Sequence, residues 1–370
     1  MRRRVGVTRL ALSIGMFFAH SREKEMTMRA SAIIRVAGLV AATIGLAFPV
    51  AQGAAQTPIK FTLDFKFEGQ TAPFVVALDK GYFKAEGLDV TIDAATGSAE
   101  TFSRVATGGY DMGFADINSL IRFRDANPGT PIKAVFMVYN KPPFSIVGRK
   151  SRGVARPKDL EGKKLGAPAA DASYAQWKIF AKANDIDTSK VVIDNIGFPV
   201  REPMLAAGQV DAVTGFSFSS FIDLKDRGVP ADDISLILMA DYGVNLYGNA
   251  IVVNPKFAAE NPEAVKRFLN AFVKGLKETI KNPDASIASV VKRNNVAKKE
   301  VELERLKMAL KENVLTPEVK ANGFGAVDMA RLDRSIEQIA SAYDFKNPKP
   351  KGTDIFDASF LPSSGDRKTN

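Results

Sequence analysis

The stretch IKFTLDFKFEGQTAPFVVALDKGYFKAEGLDVTI, Ile59 to Ile92, decides the fold. Ile59, Phe61, Leu63 and Phe65 recur two apart, which is the period of a strand with one buried face. A polar segment follows, KFEGQT, carrying one glycine. Pro73 suits a first helical turn, and Phe74, Val75 and Leu78 supply the apolar side of a helix. Gly81 and Gly87 allow the left-handed caps that stop it. Leu88, Val90 and Ile92 then resume the strand period. The unit reads β-α-β, with a crossover long enough to join parallel strands. Ligands of such sheets sit beyond the carboxyl ends of the strands, which puts Lys66, Phe67, Glu68 and Gln70 in the expected site.

Working outward, the same layout occurs twice. Val105 to Gly113 (VATGGYDMG) matches Leu205 to Val213 (LAAGQVDAV): a helix ends at a glycine, and an Asp leads into a short apolar strand. Two lobes with one α/β plan explain the echo. The outgoing strand ends, Phe114 to Ser119 and Thr214 to Ser219, are expected to face a cleft between them. Ile132 to Tyr139 reads as a further strand. Asn140-Lys141-Pro142-Pro143 breaks it, as suits a segment crossing between lobes.

The segment Pro73 to Ile92 resembles the opening of the solute-binding proteins of ABC importers for nitrate, sulfonates, taurine and thiamine-precursor pyrimidines. GYFKAEGLDV, Gly81 to Val90, is its most specific part, and DLEGKKLGAP, Asp159 to Pro168, is a second match. The likeness runs to about Tyr343. It implies an α/β, two-lobed type II periplasmic binding protein, each lobe a sheet flanked by helices, with the ligand cleft between the lobes. The expected division is a leader over 1–55, lobe one over 56–146, lobe two over 147–247, lobe one again over 248–345, and a tail over 346–370. Some packing of the tail is expected at Ile355, Phe356, Phe360 and Leu361.

Composition bounds the function. The 370 residues are 46% hydrophobic, enough for two substantial cores, and the formal net charge is +10. Residues 1–55 hold eight Lys/Arg and two Asp/Glu, so the remainder carries 43 minus 39, or +4. No basic run interleaved with aromatics occurs, and nucleic-acid binding is not expected. Arg29 and Arg35, the apolar run Val36 to Val50, and the small residues of Ala51-Gln52-Gly53 and Gly53-Ala54-Ala55 read as an export signal, with the true start near Met26 or Met28. A retained membrane anchor is the alternative, although the run is short for a span. There is no cysteine, hence neither a disulfide nor a lipid-anchoring thiol, which favours a soluble periplasmic protein. The one histidine, His20, lies in the leader. Beyond it the commonest general base and nucleophile pairs are missing, so no enzyme and no cofactor is expected.

The candidate site residues lie on the loops after strands. Ser98 opens a helix, where it either caps the backbone or borders an anion site. Asp171, Ser173 and Tyr174 start the helix that carries Trp177, which is either a core residue or a stacking surface. Arg201 either clamps an anion or pairs with Glu202. Phe65, Phe67, Tyr139, Trp177, Phe198, Phe216, Phe218, Tyr242 and Tyr247 make these loops aromatic, which suits a flat ring better than a bare oxyanion. Glu68, Asp116 and Asp171 could accept hydrogen bonds from an amino-heterocycle. Lobe one is expected to contribute Asp64 to Gln70, Ser98 and Asn118. Lobe two is expected to contribute Asp171 to Trp177, Phe198, Arg201 and Phe216. The expected partners are a small aromatic or heterocyclic solute, an ABC permease and its ATPase, with the chain acting as a monomer that does not insert in the membrane. Three alternatives stand: a nitrate, sulfonate or taurine binder of the same fold, a pyrimidine-forming enzyme that shares the resembled fold, and a sensor subunit.

Overall fold

Alternating burial builds the first strand. In the computed structural model, which describes residues 56–369, β1 (Thr57–Thr62) buries Ile59 and Phe61 while Lys60 points to solvent. The crossover is helical over Ala72–Asp79, and Gly81 and Gly87 take φ of 72° and 71°. The chain re-enters the sheet as β2 (Leu88–Asp93), parallel to β1. The export signal lies outside the described residues.

Among the described residues, ten strands make two sheets of five. The remaining strands are β3 (Met112–Asp116), β4 (Lys133–Met137), β5 (Phe144–Arg149), β6 (Lys164–Gly166), β7 (Val192–Asp194), β8 (Ala212–Phe216), β9 (Ile234–Leu238) and β10 (Asn249–Val253). One sheet has the order β2-β1-β3-β10-β4 and the other β7-β6-β8-β5-β9. In each, three parallel strands are followed by an antiparallel one: β10 against β3, and β5 against β8. The sequence echo has a structural counterpart in its two aspartates. The Asp111 carboxylate accepts from Lys60 N–H, and the Asp211 carboxylate accepts from Lys164 N–H, both at 2.8 Å. Each thereby ties the start of the central strand, β3 or β8, to its parallel neighbour, β1 or β6.

The chain crosses between sheets twice, at 138–143 and 239–248. Arg331, from the helix Met329–Ala340, holds both crossings. Its Nη2 donates to Asn140 O at 3.0 Å and Leu246 O at 2.8 Å, and its guanidinium lies 3.8 Å from the centre of the Tyr247 ring. The long helix Pro262–Lys281 then covers the first sheet with Val265, Phe268, Leu269, Phe272 and Leu276. Asn282-Pro283 ends that helix and also starts another, Pro283–Val291, because a proline is well placed in a first helical turn. Toward the C-terminus Ile355 and Phe356 are buried, and Phe356 bridges to Ala134 of β4. No helix of the described residues is long and apolar enough to cross a membrane.

Candidate functional site

A narrow pocket lies between the two sheets, about 440 Å³ of empty space counting its mouth. Strand ends and the loops after them build it, because side chains there are released from the cores while their backbones stay fixed. The first lobe lends Asp64, Phe65, Gln70, Gly97, Ser98 and Tyr139. The second lends Asp171, Ala172, Phe198, Arg201, Phe216 and Ser219.

Two aromatic pairs bridge the lobes. Phe65 meets Phe198 edge to face at 5.2 Å, and Tyr139 meets Phe216 edge to face at 6.5 Å. Phe218 supports the second pair from below, 5.7 Å from each ring. At the lip, Gly97 has φ 96°, and a Cβ there would collide with Ala170 O. Only glycine lets the two lobes approach so closely.

The polar groups at the pocket are mostly acceptors. Asp64 is buried, and burial, with the charges of Asp116 and Glu68 adding to it, pushes its carboxyl up to about 7 despite a 2.6 Å hydrogen bond from Asn249 Nδ2. Burial likewise raises Asp171, although Arg201 and the Thr214 hydroxyl, which donates at 2.6 Å, pull the other way. Gln70 gives its Nε2 to Glu68 at 3.2 Å, and its buried Oε1 has no partner among the described residues. Among the described residues Arg201 is the one guanidinium lining the pocket, and Glu202 already holds it. Its Nε donates to Glu202 at 2.7 Å, and its Nη1 stands 3.9 Å from Asp171. Burial works against its charge, but those two carboxylates outweigh it and hold Arg201 above its ordinary value.

The family model described as NMT1/THI5 like matches residues 68–286, more than half of the chain. The chain belongs to the NMT1/THI5-like family. Among its relatives is the riboflavin-binding protein RibY of Chloroflexus aurantiacus, 29% identical over 58% of this chain and 60% of that protein. Here the match spans less than two thirds of the relative's length. The formylaminopyrimidine-binding protein of Halalkalibacterium halodurans is 27% identical over 76% of this chain and 84% of its own. A 4-amino-5-hydroxymethyl-2-methylpyrimidine phosphate synthase of Saccharomyces cerevisiae is 25% identical over 61% and 68%. Two solved structures superpose with a TM-score of 0.63. The alkanesulfonate-binding protein SsuA of Xanthomonas axonopodis pv. citri, bound to MOPS, is 14% identical over 81% of this chain and 98% of its own. The periplasmic nitrate-binding protein NrtA of Synechocystis PCC 6803 is 13% identical over 82% and 87%. At such identity the likeness concerns the fold: this NMT1/THI5-like chain has the two-lobed type II periplasmic binding fold.

The structure brings Phe65, Ser98, Tyr139, Asp171, Phe198, Arg201 and Phe216 together at the pocket. The other expected site residues sit elsewhere, each for a physical reason. Lys66 points to solvent and pairs with Glu68 at 2.9 Å. Glu68 is fully buried behind the pocket wall, where it accepts from Gln70 and the Ser219 hydroxyl. Phe67 packs on the first core. Asp116 caps the helix Ile117–Ala126, accepting from Asn118 and Ser119 N–H, and Asn118 donates its side chain to Asp116 and to Tyr247 O. Ser173 is buried beside Asp171, with its N–H on that carboxylate. Trp177 is 5% exposed and belongs to the second core. Tyr242 lies on the surface against Phe180. Ser98 does not cap its helix either; Gly97 precedes it there, and the Ser98 hydroxyl accepts from Asp116 N–H at 3.1 Å. Ser219, within the strand end expected to face the cleft, does line the pocket. Sequence reasoning missed Arg305, which holds Glu68 from far along the chain.

Proposed function

We propose that this chain is the solute-binding component of an ABC import system. It captures a small aromatic or heterocyclic solute, a thiamine-related pyrimidine or a flavin-like ring, by closure of its lobes, and passes it unchanged to a membrane permease and its ATPase. It works in the periplasm as a monomer, after export by its leader. Lobe one is then 56–146 with 248–345, lobe two is 147–247, and the crossings form the hinge. Solute contacts to both lobes favour the closed form.

One observation carries the reading: the pocket offers aromatic walls and hydrogen-bond acceptors, and its guanidinium is paired with Glu202 and close to Asp171. A flat ring bearing amino groups satisfies Asp64, Asp171 and the free Gln70 Oε1 while packing against the Phe65–Phe198 pair. Nitrate or a sulfonate would give up its hydration to face two buried carboxyl groups, an arrangement that disfavours an anion once they ionise. Both binding relatives named above take nitrogen-bearing rings. Against the synthase relative stands the lack of any His or Cys beyond His20, which removes the usual proton-transfer and nucleophilic groups.

The test is the double substitution Phe65→Ala and Phe198→Ala. Without this aromatic pair, 4-amino-5-hydroxymethyl-2-methylpyrimidine or riboflavin should bind roughly a hundredfold more weakly. The melting temperature should stay close to that of the native chain, because both rings are partly exposed. Undiminished affinity for the solute would remove the pocket from the account.

A further inference from the structure

Just outside the Gly97–Ala170 lip lies a second, roomier pocket, about 1000 Å³ with its open mouth. It too is shared by the lobes: Phe102, Arg122 and Phe123 come from one, Tyr174, Trp177 and Lys178 from the other. Asp171 lines both pockets, so the two adjoin. Tyr343 closes the outer one from the first lobe by donating its hydroxyl to Ala175 O at 2.6 Å.

The charge of this outer pocket is the reverse of the inner one. Arg122 and Lys178 converge on the Tyr343 ring, with the guanidinium 4.6 Å and the ammonium 5.3 Å from its centre. Among the described residues neither makes an ion pair, whereas most other cations near the cleft do. Arg122 donates one N–H to the Ser119 hydroxyl at 3.2 Å, and its buried Nε has no partner among the described residues. Behind Ser119, Asp116 offsets part of the Arg122 charge, but that carboxylate is engaged by its helix cap and by Gln176. Asp171 is likewise turned to Thr214 and Ser173. Two unpaired cations against aromatic walls fit a dianion attached to an apolar body. A phosphate monoester carries close to two negative charges at neutral pH, and arginine and lysine are its usual partners.

We propose that the outer pocket is a second subsite of the cleft that takes the phosphate group of a phosphorylated aromatic solute, while the ring enters the inner pocket. The acceptor-rich interior and the cationic exterior then orient such a molecule, ring inward and phosphate outward. This inference rests on the inner pocket binding a ring, and it can be separated from it.

Calorimetry with matched pairs is the test: 4-amino-5-hydroxymethyl-2-methylpyrimidine against its phosphate, and riboflavin against its 5′-phosphate. The ester is expected to bind at least about tenfold more tightly than the alcohol at low salt, the advantage shrinking as salt rises. In the double variant Arg122→Gln, Lys178→Gln that advantage should vanish while the alcohol binds as before. Equal binding of ester and alcohol by the native chain, or an advantage that survives in the variant, overturns the proposal. If neither ring binds, the inner-pocket reading fails, and phenyl phosphate decides for the outer one alone. Broadening of its phosphorus resonance by the native chain, absent with the variant, supports the subsite. No broadening with the native chain rejects it.

Discussion

Replacing Arg305 with methionine is expected to lower the unfolding free energy by about 3–5 kcal/mol, the usual loss when one partner of a buried ion network is removed. Arg305 is 1% exposed, and its guanidinium serves both lobes. Within lobe one its Nε donates to Glu302 at 3.0 Å and stands 3.9 Å from Glu68. Across the cleft it reaches Asp223 at 2.7 Å and the carbonyls of Phe218 and Ser219 at 3.2 and 3.1 Å. Burial presses against ionisation of Glu68, yet Arg305 and Lys66 reverse the effect and hold that carboxyl below its ordinary value. Methionine would fill the space and leave three carboxylates without their common cation. Because Glu302 also accepts from Gly69 N–H at 2.6 Å, the loop carrying Gln70 should loosen, and solute affinity should fall with stability. Urea unfolding measures the first effect. Adding Glu302→Gln and Asp223→Asn to the variant should recover part of the loss, since the orphaned charges go. A loss below about 1 kcal/mol would mean that the guanidinium does not hold this knot together.

Asp64→Asn should do the opposite above neutrality. The ordinary carboxyl value is 3.8 and the folded value about 7. Between the two, the folded chain keeps a proton that the unfolded chain releases. The contribution of Asp64 to stability is therefore fully present below 3.8, is lost as pH rises toward about 7, and stays lost above it. The full shift corresponds to roughly 4 kcal/mol, and hydration of the cleft in the open form reduces it to about 2. The asparagine variant lacks this titration. At pH 8 it is expected to be more stable than the native chain by about 2 kcal/mol, a margin that narrows steadily as pH approaches 4. Solute affinity should drop at the same time, because the neutral amide competes for Asn249 and no longer offers a carboxylate. Thermal unfolding across this pH range reads the effect. A variant less stable at every pH would show that Asp64 is not a strained buried acid.

Periodicity made the opening unit legible, because Ile59 and Phe61 alternate with polar residues and Gly81 and Gly87 could serve only as turns. The repeated layout was legible too, since Asp111 and Asp211 perform the same hydrogen-bonding task in sheets of the same order. Pocket aromatics such as Phe65, Phe198 and Phe216 could be found because they follow strand ends. Phe67, Trp177 and Tyr242 share that residue class and position, but three-dimensional packing sends one to each core and one to the surface, a choice that spacing does not encode. Asp116 is hidden by its own chemistry: an Asp at a strand end serves a cleft or caps the next helix, and here the helix Ile117–Ala126 takes it. Glu68 and Arg122 owe their states to partners from other segments, so their buried pairing and unpaired charge become visible only once the lobes are folded together.

The most direct measurement of the central claim is a calorimetric titration of the purified chain with riboflavin, 4-amino-5-hydroxymethyl-2-methylpyrimidine, formylaminopyrimidine, taurine, an alkanesulfonate and nitrate. An aromatic, acceptor-lined cleft predicts one-to-one binding of a nitrogen-bearing ring, which is recovered unchanged, and no response to nitrate, taurine or the alkanesulfonate. Binding of the small oxyanions alone, or conversion of the bound ring into another compound, would contradict it.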